Sequence, residues 1–462
     1  MRVPGHVFRE YDIRGRADRD LTDEVVAGIG RAFATLLTRT GSAPLRIVVG
    51  RDCRVSSDRL FAALVDGLTK AGANVVDIGV GPTPMMYAAV HALSTEGGVM
   101  ITGSHNPADE NGFKMMRGKA SFFGAEIQDL RSLIEEERFV DSASAGTVER
   151  VDLRDRYVQM VTGGIALSRT DVKVVLDAGN GAGGPLGIAC MRKLGLSPDA
   201  LYCDMDGRFP NHHPDPTVPE NLASLIKRVL ETRARVGIAY DGDADRLGAI
   251  DANGDIIWGD RLMILFSRAV LAERPGATIL GEVKCSQTLY DDIARHGGRP
   301  ILWKTGHSLI KTKMREEGAM LAGEMSGHVF FADRYFGYDD AIYASLRLLE
   351  ILSRDTRTIS EMLSDVPRTY TTPEIRKDCA DATKFAVVDA VRSHYRGLGV
   401  PVIDIDGARI SFGTEHDPAW GLVRASNTGP VLVMRFEATT PERLDAIRAD
   451  VERVVARARG AD

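Results

Sequence analysis

Thr102-Gly103-Ser104-His105-Asn106-Pro107 places a hydroxyl between a glycine and an imidazole, just after the short apolar run Val99-Met100-Ile101. A serine at the tip of a buried strand, its backbone bent by neighbouring Gly and Pro, suits a nucleophile or a phosphate carrier. A plain turn uses the same residue types. Asp241, Asp243 and Asp245 alternate in Asp241-Gly242-Asp243-Ala244-Asp245-Arg246, and residues two apart in extended backbone project the same way. Three carboxylates can then converge on one divalent cation, and an oxygen-only set fits magnesium. A solvated acidic loop is the alternative, although like charges this close repel without a cation. An EF-hand fits poorly, because Arg246 stands where Gly is needed and Ala252 where Glu is needed.

Three further loops have chemical content. Gly323-Glu324-Met325-Ser326-Gly327-His328 pairs a carboxylate with a hydroxyl two residues on, a spacing able to grip adjacent sugar hydroxyls. His307 and His328 both follow predicted strands. Arg424-Ala425-Ser426-Asn427-Thr428-Gly429-Pro430 offers a guanidinium fork for phosphate with neutral donors beside it; a polar hairpin loop has the same composition. Gly179-Asn180-Gly181-Ala182-Gly183-Gly184 satisfies G-x-G-x-x-G, with Asp204 where a dinucleotide fold carries its acid. A dinucleotide-dependent oxidoreductase is therefore a competing reading, although Gly-rich turns also arise for packing alone. A non-enzymatic metal- or sugar-binding protein is a third. Asn211-His212-His213-Pro214-Asp215 reads as a rigid, proline-flanked loop rather than a metal site.

The elements that must hold these loops follow a rhythm. Strands are predicted at 46–50, 73–78 and 99–101, with helices at 56–71, N-capped by Ser57, and 83–93. The order returns with strands at 173–176, 199–203 and 236–239 and helices at 185–194 and 220–232. It returns again with strands at 278–280, 300–303 and 320–322 and helices at 287–294 and 308–316. Each round delivers a polar, Gly-bearing loop after its third strand. Such alternation predicts parallel sheets, whose ligands collect beyond the carboxyl ends of the strands. A helix at 341–352 precedes a Pro-bearing boundary at 365–373. Beyond it lie a smaller α+β pattern, an apolar run at 431–434 and a closing amphipathic helix at 441–458.

The bulk properties narrow the classes. The 462 residues suggest about three domains. A net charge of −6 and a pI near 6.0 give no electrostatic case for nucleic acid or an anionic membrane. The five cysteines are scattered without C-x-x-C spacing, which argues against a disulfide framework or a zinc site and for a reducing compartment. No apolar h-region follows Met1 and no run is long enough to span a membrane. A cytoplasmic protein is expected.

Taken in order, TGSHNP, DGDADR, GEMSGH and RASNTGP resemble the four active-site loops of the α-D-phosphohexomutase superfamily. The similarity is greatest to its bacterial phosphomannomutase/phosphoglucomutase subgroup, through YDIRG at 11–15, FPNHHPDP at 209–216, KTGHSLIK at 304–311 and GEMSGHVFF at 323–331. The resemblance covers essentially the whole chain. It implies three similar mixed α/β domains and a C-terminal α+β domain of TATA-box-binding-protein-like fold around a central cleft, with segments at 1–150, 151–255, 256–367 and 368–462. It implies reversible phosphoryl transfer between the 1- and 6-positions of mannose or glucose phosphates through a hexose 1,6-bisphosphate, which also serves as activator. Ser104 would be the phosphoserine and, with Asp241, Asp243 and Asp245, a Mg²⁺ ligand. Arg14, His105, Lys114 and Arg246 would line the transfer site and Lys284 would lie near it. Glu324 and Ser326 would bind sugar hydroxyls, with Tyr11, His307 and His328 helping to hold substrate. Arg424, Ser426, Asn427 and Thr428 would anchor the phosphate not being transferred. Lys114 and His328 are the candidate general bases. The partners implied are small hexose phosphates, with no nucleic acid or membrane, and a monomer or homodimer is expected. Two positions depart from the family pattern: Ala244 stands in place of Gly, a strain of about 1 kcal/mol if its φ is positive, and Gly429 replaces a residue with a side chain.

Overall fold

The computed structural model describes residues 3–39, 45–140, 142–414 and 417–460, so Met1 and Arg2 lie outside it. Three sheets repeat one topology. In the first, Arg46–Arg51 lies between Asn74–Val80 and Gly97–Ile101, parallel to both. In the second, Val174–Asp177 lies between Asp199–Leu201 and Val236–Tyr240, again parallel. In the third, Thr278–Glu282 lies between Arg299–Trp303 and Leu321–Gly323 in the same sense.

The sheets are not purely parallel, as the rhythm alone predicts. Each third strand is followed by an antiparallel return: Glu110–Arg117, Leu247–Asp251 and Val329–Phe331. The intervening loops are too short for a parallel crossover, which takes a dozen or more residues, so the chain turns straight back. Each polar loop is thus a hairpin tip at the carboxyl end of a buried strand, anchored on both sides.

Two local expectations change. The helix Ser57–Lys70 has Ser56 at its N-cap position, and Ser57 instead gives its hydroxyl proton to Asp52 Oδ1 at 2.6 Å. The predicted helix at 220–232 divides into a 3₁₀ turn, Pro219–Leu222, and an α-helix, Ala223–Thr232. The helix Asp23–Thr38, N-capped by Thr22, was not anticipated. The closing helix, Pro441–Ala458, has its predicted bounds.

The first three segments share one apolar core. Helix Ala341–Arg354 packs against the second sheet as well as the third. Its Ser345 bonds Tyr240 at 2.7 Å, and its N-cap Asp340 accepts the Tyr157 hydroxyl. The C-terminal segment is an antiparallel sheet covered by Lys384–Gly397 and Pro441–Ala458. It is joined to the third segment by Arg409, which donates to the carbonyls of Val283 and Cys285, and by Arg435, which pairs with Asp260 at 2.9 Å. Among the described residues no helix is long and apolar enough to cross a membrane.

Candidate active site

Ser104 is buried and holds φ at +47°, in the left-handed region. Such a conformation is uncommon for a side-chain-bearing residue and clusters at functional sites. Its amide donates to Thr102 Oγ1 at 2.9 Å and its hydroxyl donates to Asp241 Oδ2 at 2.7 Å. His105 Nδ1 stands 3.2 Å from Ser104 Oγ. Burial, followed by the charges of Arg246, Arg14 and Lys114, pushes the His105 imidazole well below its usual range, so the ring is neutral.

Asp241, Asp243 and Asp245 are fully buried and bring one oxygen each within 4.8 Å of one another. Ala244 has φ +56°, so the departure from glycine does place a methyl group in left-handed backbone. That methyl fits because residue 183 is glycine: a Cβ there would lie 2.5 Å from Ala244 Cβ. Asp241 Oδ1 accepts the amides of Asp245 and Arg246, which ties the loop to itself. Lys114, from the return strand of the first sheet, donates to Asp243 at 2.8 Å and to Asp245. Thr83 and Thr102 also donate to Asp243.

The donor set fits a hard divalent cation. Asp243 Oδ1 and Asp245 Oδ1 are buried without a hydrogen-bond partner, a costly state for a carboxylate. Burial and then the neighbouring Asp245 and Asp243 push the Asp241 carboxyl well above its usual range, which a bound cation would reverse. Burial alone would draw the Lys114 ammonium toward neutrality, but Asp243 and Asp245 outweigh it and hold it charged. Lys114 in this state is a cation, not a base.

Arg14 donates to Asp12, to the Gly103 carbonyl at 2.8 Å and to Asn106, so it flanks the serine loop. Arg246 and His328 join the second and third segments, with Arg246 Nε donating to His328 Nε2 at 3.0 Å. His328 Nδ1 lies 3.2 Å from Asp339 Oδ2. Asp339 also pairs with Lys311 at 2.9 Å and faces His307 at 3.8 Å. The two imidazoles stack with centroids 5.8 Å apart.

Glu324 accepts the Gly306 amide at 2.7 Å, linking the GEMSGH loop to the KTGHSLIK loop. Ser326 is half-buried on the same turn. Tyr11 spans three segments: its hydroxyl donates to the Thr305 carbonyl at 2.8 Å and accepts from Asn427 at 2.7 Å. Arg424 is buried against Asp406, and Ser426 and Thr428 share a hydroxyl contact at 3.2 Å. Lys284 lies at the joint with the C-terminal segment. It pairs with Glu374 of the C-terminal segment at 3.0 Å and with Glu282 at 3.8 Å.

The sequence reading did not identify Asp339, Thr83, Asp406 or Lys384. Lys384 donates to the carbonyls of Ser426 and Gly429 and so shapes the arginine-bearing loop from behind. Single charged residues distant in sequence give no local pattern from which to find them.

Close packing accounts for the glycine loop at 179–184. A Cβ at Gly181 would meet the Gly242 carbonyl at 2.7 Å, and one at Gly184 would meet the Cys203 carbonyl at 2.3 Å. These glycines allow the loop to pack on the acidic loop and on its own sheet. His212 and His213 are spent on structure: Nε2 of the first faces Asp177 at 3.1 Å and Nε2 of the second donates to the His105 carbonyl.

The four segments match, in order, the phosphoglucomutase/phosphomannomutase alpha/beta/alpha domains I (5–141), II (155–254) and III (258–370) and the family's C-terminal domain (374–454). The chain is 45% identical over 446 residues to the phosphomannomutase/phosphoglucomutase of Pseudomonas aeruginosa, covering 96% of this chain and 94% of that protein. The chain belongs to the phosphoglucomutase/phosphomannomutase family. It is 42% identical to a phosphoglucomutase of Neisseria gonorrhoeae, covering 97% of this chain and 96% of that one. Against a phosphomannomutase of Escherichia coli the identity is 34%, covering 93% and 94%. A solved family protein from Burkholderia thailandensis superposes with a TM-score of 0.91 at 43% identity, covering 99% of this chain and 98% of that chain. The protein is an enzyme, a phosphohexomutase, and its acidic triad is a candidate metal site.

Proposed function

We propose that this enzyme interconverts the 1- and 6-phosphates of mannose and glucose by carrying a phosphoryl group on Ser104. The observation that carries the reading is the bond from the Ser104 hydroxyl to Asp241, inside a buried triad that contains unpaired carboxylate oxygens. Asp241, Asp243, Asp245 and an oxygen on Ser104 would hold Mg²⁺, which when bound neutralises charge on the transferring group.

The chain's own residues do the rest. Phosphoryl transfer depends on positioning and charge stabilisation more than on covalent chemistry. Arg14, Lys114 and Arg246 supply fixed positive charge around Ser104. Neutral His105 forms part of the phosphate's surroundings. Because Lys114 is held charged, His328 is the better acceptor for the proton of the attacking sugar hydroxyl: Asp339 lies beside its Nδ1, and its Nε2 would exchange Arg246 for the hydroxyl. Glu324 and Ser326 hold sugar hydroxyls. Arg424, Ser426, Asn427 and Thr428 grip the distal phosphate, and Tyr11 ties that clamp to the first segment.

The resulting hexose 1,6-bisphosphate must turn so that its other phosphate faces Ser104, and movement of the C-terminal segment would let it do so. The five free cysteines support a reducing, cytoplasmic setting. The test is a coupled assay on mannose and glucose 1-phosphates with Mg²⁺ and bisphosphate activator. Turnover of either sugar that disappears in Ser104→Ala is the expected outcome; full activity in that variant refutes the phosphoserine.

A further inference from the structure

Arg54 has a fully buried guanidinium that lies under the serine loop rather than in the cleft. Nη2 donates to the carbonyls of Ser104 and Asn106, both at 2.7 Å. Nη1 donates to the carbonyls of Pro107 at 2.5 Å and Glu110 at 3.0 Å. Nε pairs with Asp52 Oδ2 at 3.2 Å, and the same oxygen accepts the Gly103 amide at 3.1 Å. One planar fork thus gathers four inward-turned carbonyls, which the point charge of a lysine does not match. A Cβ at residue 103 would lie 2.5 Å from that guanidinium, so Gly103 is what lets the two approach.

The second segment packs on both Arg54 and the loop. The Phe209 ring lies 5.0 Å from the Arg54 guanidinium, His213 donates to the His105 carbonyl, and a Cβ at Gly242 would meet the Ser104 carbonyl at 2.3 Å. Ser104 therefore sits in a loop held by Arg54, which Phe209 backs, and contacted by His213 and Gly242 of the second segment. Its left-handed backbone is disfavoured in isolation, and buried carbonyls left unpaired would be costly as well.

We propose that Arg54 is a positioning residue for phosphoryl transfer: by binding the carbonyls on both sides of residue 105 it holds Ser104 in the backbone conformation that aims Oγ at Asp241. Phe209 makes that alignment depend on the docked second segment. The inference rests on the reading of Ser104 as phosphate carrier.

The test is a single-turnover experiment on the full-length chain. Wild type, Arg54→Lys and Phe209→Leu are loaded with hexose 1,6-bisphosphate, the phosphate on Ser104 is counted by intact mass, and the loaded protein is mixed with mannose 1-phosphate and quenched. A displacement near 1 Å lowers a rate by about 10²-fold. Arg54→Lys is therefore expected to load fully and transfer with full amplitude, with a rate constant roughly 10- to 100-fold below wild type and an unchanged KM. Phe209→Leu should move the same way by a smaller factor. Loss of folded protein would lower the amplitude and leave the rate constant alone, so a reduced amplitude at wild-type rate overturns the positioning role, as does a wild-type rate constant in Arg54→Lys. A wild-type chain that turns over sugar phosphates yet never takes phosphate on Ser104 removes the phosphoserine reading itself.

Discussion

The corner around Ser104 and the loop around Arg424 are the two proposed phosphate sites, and they are built differently. At Ser104 the three acids are completely buried, Lys114 bridges two of them, and the serine backbone is clamped from two domains. Among the described residues the hydrogen bond linking the Arg424 loop to the first segment runs from Asn427 to Tyr11, and others lie within the loop or run to Asp406 and Lys384. The first site has many bonds to break before it moves; the second has few. A transfer centre needs fixed geometry, whereas a clamp that must release a turning intermediate needs separable contacts. The contrast predicts that damage at the first site appears in kcat and damage at the second in KM.

The largest effect is expected from Asp241→Asn. Burial and the neighbouring Asp245 and Asp243 push the Asp241 carboxyl well above its usual range when no metal is bound, so the neutral amide should leave the metal-free protein folded. Loss of a metal ligand removes several kcal/mol of transition-state stabilisation, about 10³-fold in kcat. The upward shift in melting temperature on adding Mg²⁺ should also vanish; if that shift survives, the triad is not the metal site. Next comes Arg424→Ala, which removes charge-assisted bonds worth about 1.5–3 kcal/mol. It should raise KM roughly 10- to 100-fold with little change in kcat, and a pure kcat defect would erase the distinction between the sites.

A smaller effect concerns the joint that carries the clamp. Lys284 holds the Glu374 carboxyl at about 2, against an ordinary 4.5. A depressed carboxyl stabilises the fold above its unfolded value, so the contribution is complete above pH 4.5 and is lost as pH falls toward 2. Urea unfolding from pH 6 to 3 should show wild type losing up to about 2 kcal/mol more than Glu374→Gln, the upper bound before solvent screening of the partly exposed pair. Parallel pH profiles would mean that the pair contributes nothing to the joint. Tyr11→Phe is the mildest, deleting one hydroxyl that bonds Thr305 and Asn427. A loss of about 1 kcal/mol should raise KM a few-fold, and an unchanged KM would show that the clamp does not depend on this tether.

Much of this arrangement was legible in the sequence because strand tips mark themselves. Val99-Met100-Ile101 before Gly103 and Pro107 announces a buried strand ending in a turn, and the acidic loop after residues 236–239 repeats the signal. What escaped notice has no periodic signature. The return strand Glu110–Arg117 is buried on both faces, so it lacks the alternation that marks a half-exposed strand. Asp52 and Arg54 read as an ordinary charged loop, yet both are buried and bonded to residues far along the chain. Ser57 carries the signature of an N-cap, but the nearby Asp52 captures its hydroxyl. The glycine fingerprint at 179–184 was ambiguous because close packing and phosphate binding call for the same residue, and only the neighbouring backbone at 203 and 242 decides between them.

The central claim is that Ser104 carries the transferred phosphate. Incubating the wild-type protein and Ser104→Ala with hexose 1,6-bisphosphate and Mg²⁺, then mapping phosphate by peptide mass spectrometry, tests it directly. One phosphate on the peptide containing Ser104, lost stoichiometrically on adding mannose 1-phosphate and absent from the variant, is the predicted result. Phosphate on another residue, or mutase turnover with none on the protein, would contradict the account.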